Sequence, residues 1–169
     1  MEKTLLTNGG MMLVHVKELL LDQLLANAND PSWYVSFQES VEGLSEEDAF
    51  WKPDKESHSI GEIVQHLIYW NETWQLRYKK SHTEAVPPLE NNDLSFVIPN
   101  GKTFSELKEE LLKVLLRWQD LLTEEALESK VNGFPVHAEW WALIGNTTTH
   151  NAYHIGQIMY IRKMRKNLL

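Results

Sequence analysis

Four segments of this chain repeat their apolar residues every three or four positions, and no stretch alternates strongly enough to form a strand. That period restricts the fold to helices packed on helices. The first segment follows Gly9-Gly10 and sets Leu13, Val16, Leu20 and Leu24 on one stripe, with His15, Glu18 and Asp22 turned away. It should stop near residues 27–30, before Pro31. Two capping-box patterns, Ser36-Phe37-Gln38-Glu39 and Ser45-Glu46-Glu47-Asp48, announce short helices. A second long helix opens with the box Ser59-Ile60-Gly61-Glu62 and runs to about Lys79, carrying Ile63, His66, Leu67, Trp70 and Trp74 along one side. The third opens with Thr103-Phe104-Ser105-Glu106 and presents Phe104, Leu107, Leu111, Leu115, Trp118 and Leu122. The fourth follows Gly133-Phe134-Pro135 and continues to about Lys166.

Helices of ~20 residues are ~30 Å long, and four of them suit an all-α four-helix bundle. The connection between the second and third decides their order. An antiparallel hairpin needs only ~2–8 residues, yet residues 81–102 intervene, with Pro87-Pro88, Asn91-Asn92 and Pro99-Asn100-Gly101 among them. At ~3.3 Å per residue this stretch can cross the length of the bundle. The expected order is therefore up-down-down-up, with a long crossover between helices two and three. The 169 residues amount to one domain over 11–169, after a flexible segment over 1–10.

Composition narrows the function. Sixteen basic residues against 24 acidic ones give a charge of −8, which disfavours nucleic acid and acidic membrane as partners. With no cysteine, disulfides, thiolate metal sites and a cysteine nucleophile are excluded. No run approaches the ~18 apolar residues of a membrane span. The opening residues break their apolar run at Thr7-Asn8-Gly9-Gly10 and do not read as a signal peptide. A cytoplasmic enzyme or binding protein is expected.

Three histidines carry the chemistry. His150 and His154 stand four residues apart, so at ~100° per residue both imidazoles leave one helix face about a turn apart. Their stripe also bears Leu143, Thr147, Ile158 and Ile161, which turns them inward. His66 lies beside Ile63 and Trp70 on the apolar side of the second helix. Three neutral imidazoles from two helices can hold a divalent ion while leaving a position open, as catalytic sites do. The alternative is three core histidines, each with its own hydrogen-bond partners. Asn151 stands where a His-Glu-x-x-His protease needs its glutamate, which excludes that class. Glu62 is expected to serve the helix cap. Gln157, one turn beyond His154, and the neighbours Trp70 and Thr147 are candidate supporting or pocket residues. His15, His58, His82 and His137 look ordinary. The tryptophans, Trp141 among them, read as core.

In His58-Ser59-Ile60-Gly61-Glu62-Ile63-Val64-Gln65-His66-Leu67 and in His150-Asn151-Ala152-Tyr153-His154-Ile155-Gly156-Gln157-Ile158, the chain resembles the DinB-like superfamily of metal-binding four-helix bundles. The likeness spans nearly the whole chain and takes in Pro31-Ser32-Trp33 and Gly43-Leu44-Ser45-Glu46-Glu47. It implies an up-down-down-up bundle, frequent homodimers, and a zinc or nickel ion held by His66, His150 and His154. It also implies kinship with S-transferases and isomerases that use thiols such as bacillithiol or mycothiol. The leading expectation is a metal-dependent transferase joining a low-molecular-weight thiol to an electrophilic small molecule. A metal-dependent hydrolase using bound water, and a non-catalytic metal or small-ligand-binding protein, are the alternatives.

Overall fold

The computed structural model describes residues 15–30 and 32–166. The 1–10 segment, Leu13 and Pro31 lie outside the described residues. Those described are helical, with no strand and only two isolated bridges, His82 with Asn132 and Lys130 with Glu139. The helices are α1 (Val16–Ala28), α2 (Phe37–Ser40), α3 (Glu46–Phe50), α4 (Ile60–Lys79), α5 (Phe104–Leu116), α6 (Trp118–Leu121), α7 (Glu124–Leu127) and α8 (Trp140–Lys166). Single 3-10 turns lie at Thr83–Ala85 and Asn92–Phe96 in the long connection.

Several helices start where their caps dictate. Ser36 with Glu39, Ser59 with Glu62 and Thr103 with Glu106 form complete capping boxes, which satisfy first-turn N–H groups that a helix cannot bond itself. Ser45 caps α3 by accepting from Asp48 N, but the Asp48 carboxylate turns to Ser45 Oγ and Arg165 instead of closing the box. Gly61 permits a close crossing, since a Cβ there would stand 2.4 Å from the Phe50 ring.

Two of the helix limits differ from the periodicity. The third helix is interrupted at Arg117, so Trp118 and Leu122 fall beyond α5. The Gln75 amide donates to Val114 O at 2.7 Å, the carbonyl that a continued helix would offer to the Trp118 N–H. The fourth helix begins at Trp140, because residues 130–139 fold back first, with Val131 N donating to Ala138 O. Val16 is exposed although it shares the stripe of the buried Leu20 and Leu24, and Trp141 is exposed while Trp118 and Trp140 are buried.

Among the longer helices, α4 packs on α5 and α8, while α1 packs on α5 and α8. The apolar core is split in two. One part gathers Ile63, Val64, Leu67, Leu107, Leu111, Ile155 and Ile158; the other gathers Leu20, Leu24, Tyr78, Trp118, Trp140 and Ile144. Between them along the helices lie the buried polar side chains Asn27, Asn71, Thr147, Asn151 and His154, while His66 sits within the first part, between Val64 and Leu67. Asn71 and Asn151 exchange amide hydrogen bonds of 2.8 and 3.2 Å across α4 and α8, and Trp118 Nε1 donates to Asn71 Oδ1 at 2.9 Å. On α8 this polar layer puts His150 and His154 near the middle of the helix.

Candidate metal centre

The α4–α8 packing that pairs Asn71 with Asn151 also brings His66 against His150 and His154. His66 Nε2 and His154 Nε2 each stand 3.1 Å from His150 Nε2. All three ligand atoms lie within 4.8 Å of one another. Nitrogens bound to one tetrahedral ion at ~2.0–2.1 Å stand about 3.3 Å apart, so the donor set fits a divalent cation.

Two of the three outer nitrogens of the cluster are tied down. His66 Nδ1 lies 2.6 Å from Ser95 Oγ, and His154 Nδ1 lies 2.7 Å from Gln157 Oε1, whose amide nitrogen donates to Tyr153 Oη at 3.1 Å. His66 and His154 are buried and His150 is half-buried. Burial, reinforced by the neighbouring imidazoles, pushes the His66 pKa down to about 3. Burial and then His150 push His154 down to about 4, against an opposing hydrogen bond from Gln157. Burial also lowers His150. All three are therefore neutral near pH 7, which is the ligand form.

The cluster borders two cavities. One of about 380 Å³ is lined by His66, Trp70, Trp74, Asn92, Phe96, Asn146, Thr147, His150 and His154. A larger one of about 850 Å³ shares His154, Asn92 and Phe96 and extends along Tyr153, Gln157 and Tyr160 to Asp54, Glu56 and Asp93. Thr147 borders the first cavity, but its hydroxyl donates to Leu143 O within its own helix. Trp70 stands edge-on to His66 at 6.4 Å and donates through Nε1 to Asn92 Oδ1. Glu62 is occupied by the cap and by Lys52 Nζ at 2.7 Å, away from the cluster's hydrogen bonds.

A family model described as the DinB superfamily matches residues 34–158. This chain belongs to the DinB superfamily. Its fold is similar to that of a DinB-like protein from Bacillus subtilis, with a TM-score of 0.66, 16% identity, and coverage of 88% of this chain and 92% of that one. No functionally curated protein matches the chain.

Sequence reasoning missed the crossover's part in this DinB-superfamily site. Asn92, Ser95 and Phe96 come to the cluster from the 3-10 turn Asn92–Phe96. The Asn91-Asn92-Asp93 run marks a turn, but nothing local says what it docks against. His58 also has a place: its ring stacks on Phe96 at 3.8 Å, and Phe96 stacks on His66 at 4.0 Å. His15 pairs with Glu124 at the surface, His82 caps the turn Thr83–Ala85, and His137 is exposed. Gly133, with φ of 75°, turns the chain where a Cβ would meet His82 at 2.6 Å.

Proposed function

We propose that this DinB-superfamily protein is a metal-dependent transferase that joins a low-molecular-weight thiol to an electrophilic small molecule. The observation that carries this reading is the convergence of three neutral imidazole nitrogens beside a cavity whose lining includes no carboxylate. His66, His150 and His154 would hold the ion, and their nitrogen donors suit zinc or nickel. When bound, such an ion supplies the Lewis acidity that keeps a substrate thiol in its nucleophilic thiolate form.

The chain's own side chains do the remaining work. Trp70, Trp74 and Phe96 give the smaller cavity aromatic walls, which favour an apolar electrophile and exclude water around the attacking sulfur. Asn146, exposed at this cavity, offers an amide donor and acceptor to a polar substrate group. Gln157 holds the His154 ring through Nδ1. In the larger cavity the Asp54 carboxylate accepts from Glu56 N and Ser57 N, and its pKa is lowered, first by its Ser57 hydrogen bonds.

Three coarser features belong to the same reading. The up-down-down-up order is supported by Tyr78 meeting Trp140, Asn71 meeting Asn151 and His66 meeting His154, pairs that run oppositely along α4 and α8. The family likeness supports a homodimer, and a cytoplasmic location is proposed on the sequence reading. Among the described residues no helix is long and apolar enough to cross a membrane.

The test presents zinc- or nickel-loaded protein with thiols plus electrophiles, and separately with esters and amides. Thioether adducts that form only in the presence of metal are expected. Metal-dependent hydrolysis at equal rates with and without thiol would replace the proposal with a hydrolase. Metal uptake without turnover would reduce it to a binding protein.

A further inference from the structure

The turn Asn92–Phe96 lies in the crossover, 29 residues from His66 in sequence, yet its Ser95 hydroxyl is buried against that imidazole. A serine hydroxyl has one proton to give and can accept in return. Ser95 Oγ donates to Asn92 O at 2.5 Å, and a carbonyl oxygen only accepts. The Ser95 proton is therefore committed within the turn. At 2.6 Å from His66 Nδ1, Ser95 Oγ can act only as acceptor, so Nδ1 must carry the proton. The opposite nitrogen, Nε2, is then bare and directed at His150 Nε2, 3.1 Å away.

We infer that Ser95 is a positioning residue that locks His66 in the Nδ1–H tautomer and so presents Nε2 as a ready metal donor. The remainder of the turn acts as a clasp for that hydrogen bond. Phe96 stacks on the His66 ring at an interplanar angle of 15°, and its other face is covered by His58. Trp70 Nε1 donates to Asn92 Oδ1 at 3.2 Å and ties the turn to α4. Asn91 Oδ1 accepts from Asp93 N at 3.0 Å and starts the turn. Ring plane, ring rotation and proton position are all set by the crossover, not by the helix that carries His66. Partners of this kind fix the orientation and raise the basicity of ligating imidazoles, and losing one costs about 10–100-fold in metal affinity.

The inference rests on the metal reading above, so the experiment separates the two. Long-range proton–nitrogen spectra of the metal-free wild type should show His66 protonated at Nδ1 and bare at Nε2. In Ser95→Ala the His66 signals should shift to a mixture of tautomers, while those of His82 and His137 stay unchanged. Zinc titration against a competing chelator should show affinity about 10–100-fold weaker in Ser95→Ala. The amide fingerprint spectrum of the variant checks its fold, and the wild-type tautomer needs no variant at all. A His66 bare at Nδ1 in the wild type, or a Ser95→Ala protein with wild-type zinc affinity, overturns the role of Ser95 alone. A wild type that takes up no zinc overturns that role and the metal reading together.

Discussion

The three histidines differ in how each is held, and substitutions should reveal it. His66→Ala or His154→Ala removes one of three nitrogen donors, so zinc affinity should fall by more than the ~10–100-fold that a supporting hydrogen bond contributes. His15→Ala, at an exposed pair with Glu124, should leave zinc uptake unchanged. Elemental analysis of the dialysed proteins decides between them. The same residues set an acid limit on the metal-free fold. An unfolded histidine titrates near pH ~6.5, whereas His66 and His154 are depressed to about 3 and about 4 in the folded chain. Below pH ~6.5 the unfolded state takes up protons that the folded state refuses, so stability falls with pH across that window. Urea denaturation of metal-free protein from pH 7.5 to about 4 should show this decline, and a His66→Gln, His154→Gln double variant should show a flatter one. These two residues were legible in the sequence because both lie on inward stripes. Ser95 was not legible, because a serine in a polar turn carries no periodic signal.

At the scale of the elements, α4 and α8 are joined by a polar contact as well as by apolar packing. Asn71 accepts from Trp118 Nε1 and exchanges amide bonds with Asn151, all of them buried. Asn71→Leu would leave the Trp118 N–H and the Asn151 amide without partners, at about 1–3 kcal/mol for each unsatisfied group. A loss of about 2–5 kcal/mol in urea unfolding is expected, together with weaker zinc binding, because Asn151 adjoins His150 and stands three residues before His154. A variant as stable as the wild type would show that the polar layer contributes nothing to joining these helices. Asn151 also shows how far a motif reading reaches. The sequence excluded it as a catalytic base, but its position between the two histidines gave no hint that it faces α4.

For the whole molecule, the −8 charge and the all-helical fold set the background for the proposed assembly. Aromatic side chains remain exposed at Trp33, Trp141, Tyr153 and Tyr160. If two copies associate, some of these should lose solvent contact. Light scattering at micromolar concentration should then report twice the mass of the chain, and a monomer mass throughout that range would reject the dimer.

Helix content, the main caps and the inward histidines could be read from the amino-acid sequence alone. Each depends on residues within one or two turns of each other, such as Ser59 with Glu62 or His150 with His154. The break at Arg117, the divided core and the docking of the Asn92–Phe96 turn were decided by tertiary structure. They depend on pairs 29, 39 and 80 residues apart, His66 with Ser95, Gln75 with Val114 and Asn71 with Asn151. Hydrophobic period and capping chemistry act over a few residues, so they can place a histidine on a face. Only the packing of distant segments can bring a hydroxyl to its far nitrogen and so determine which nitrogen is free to bind.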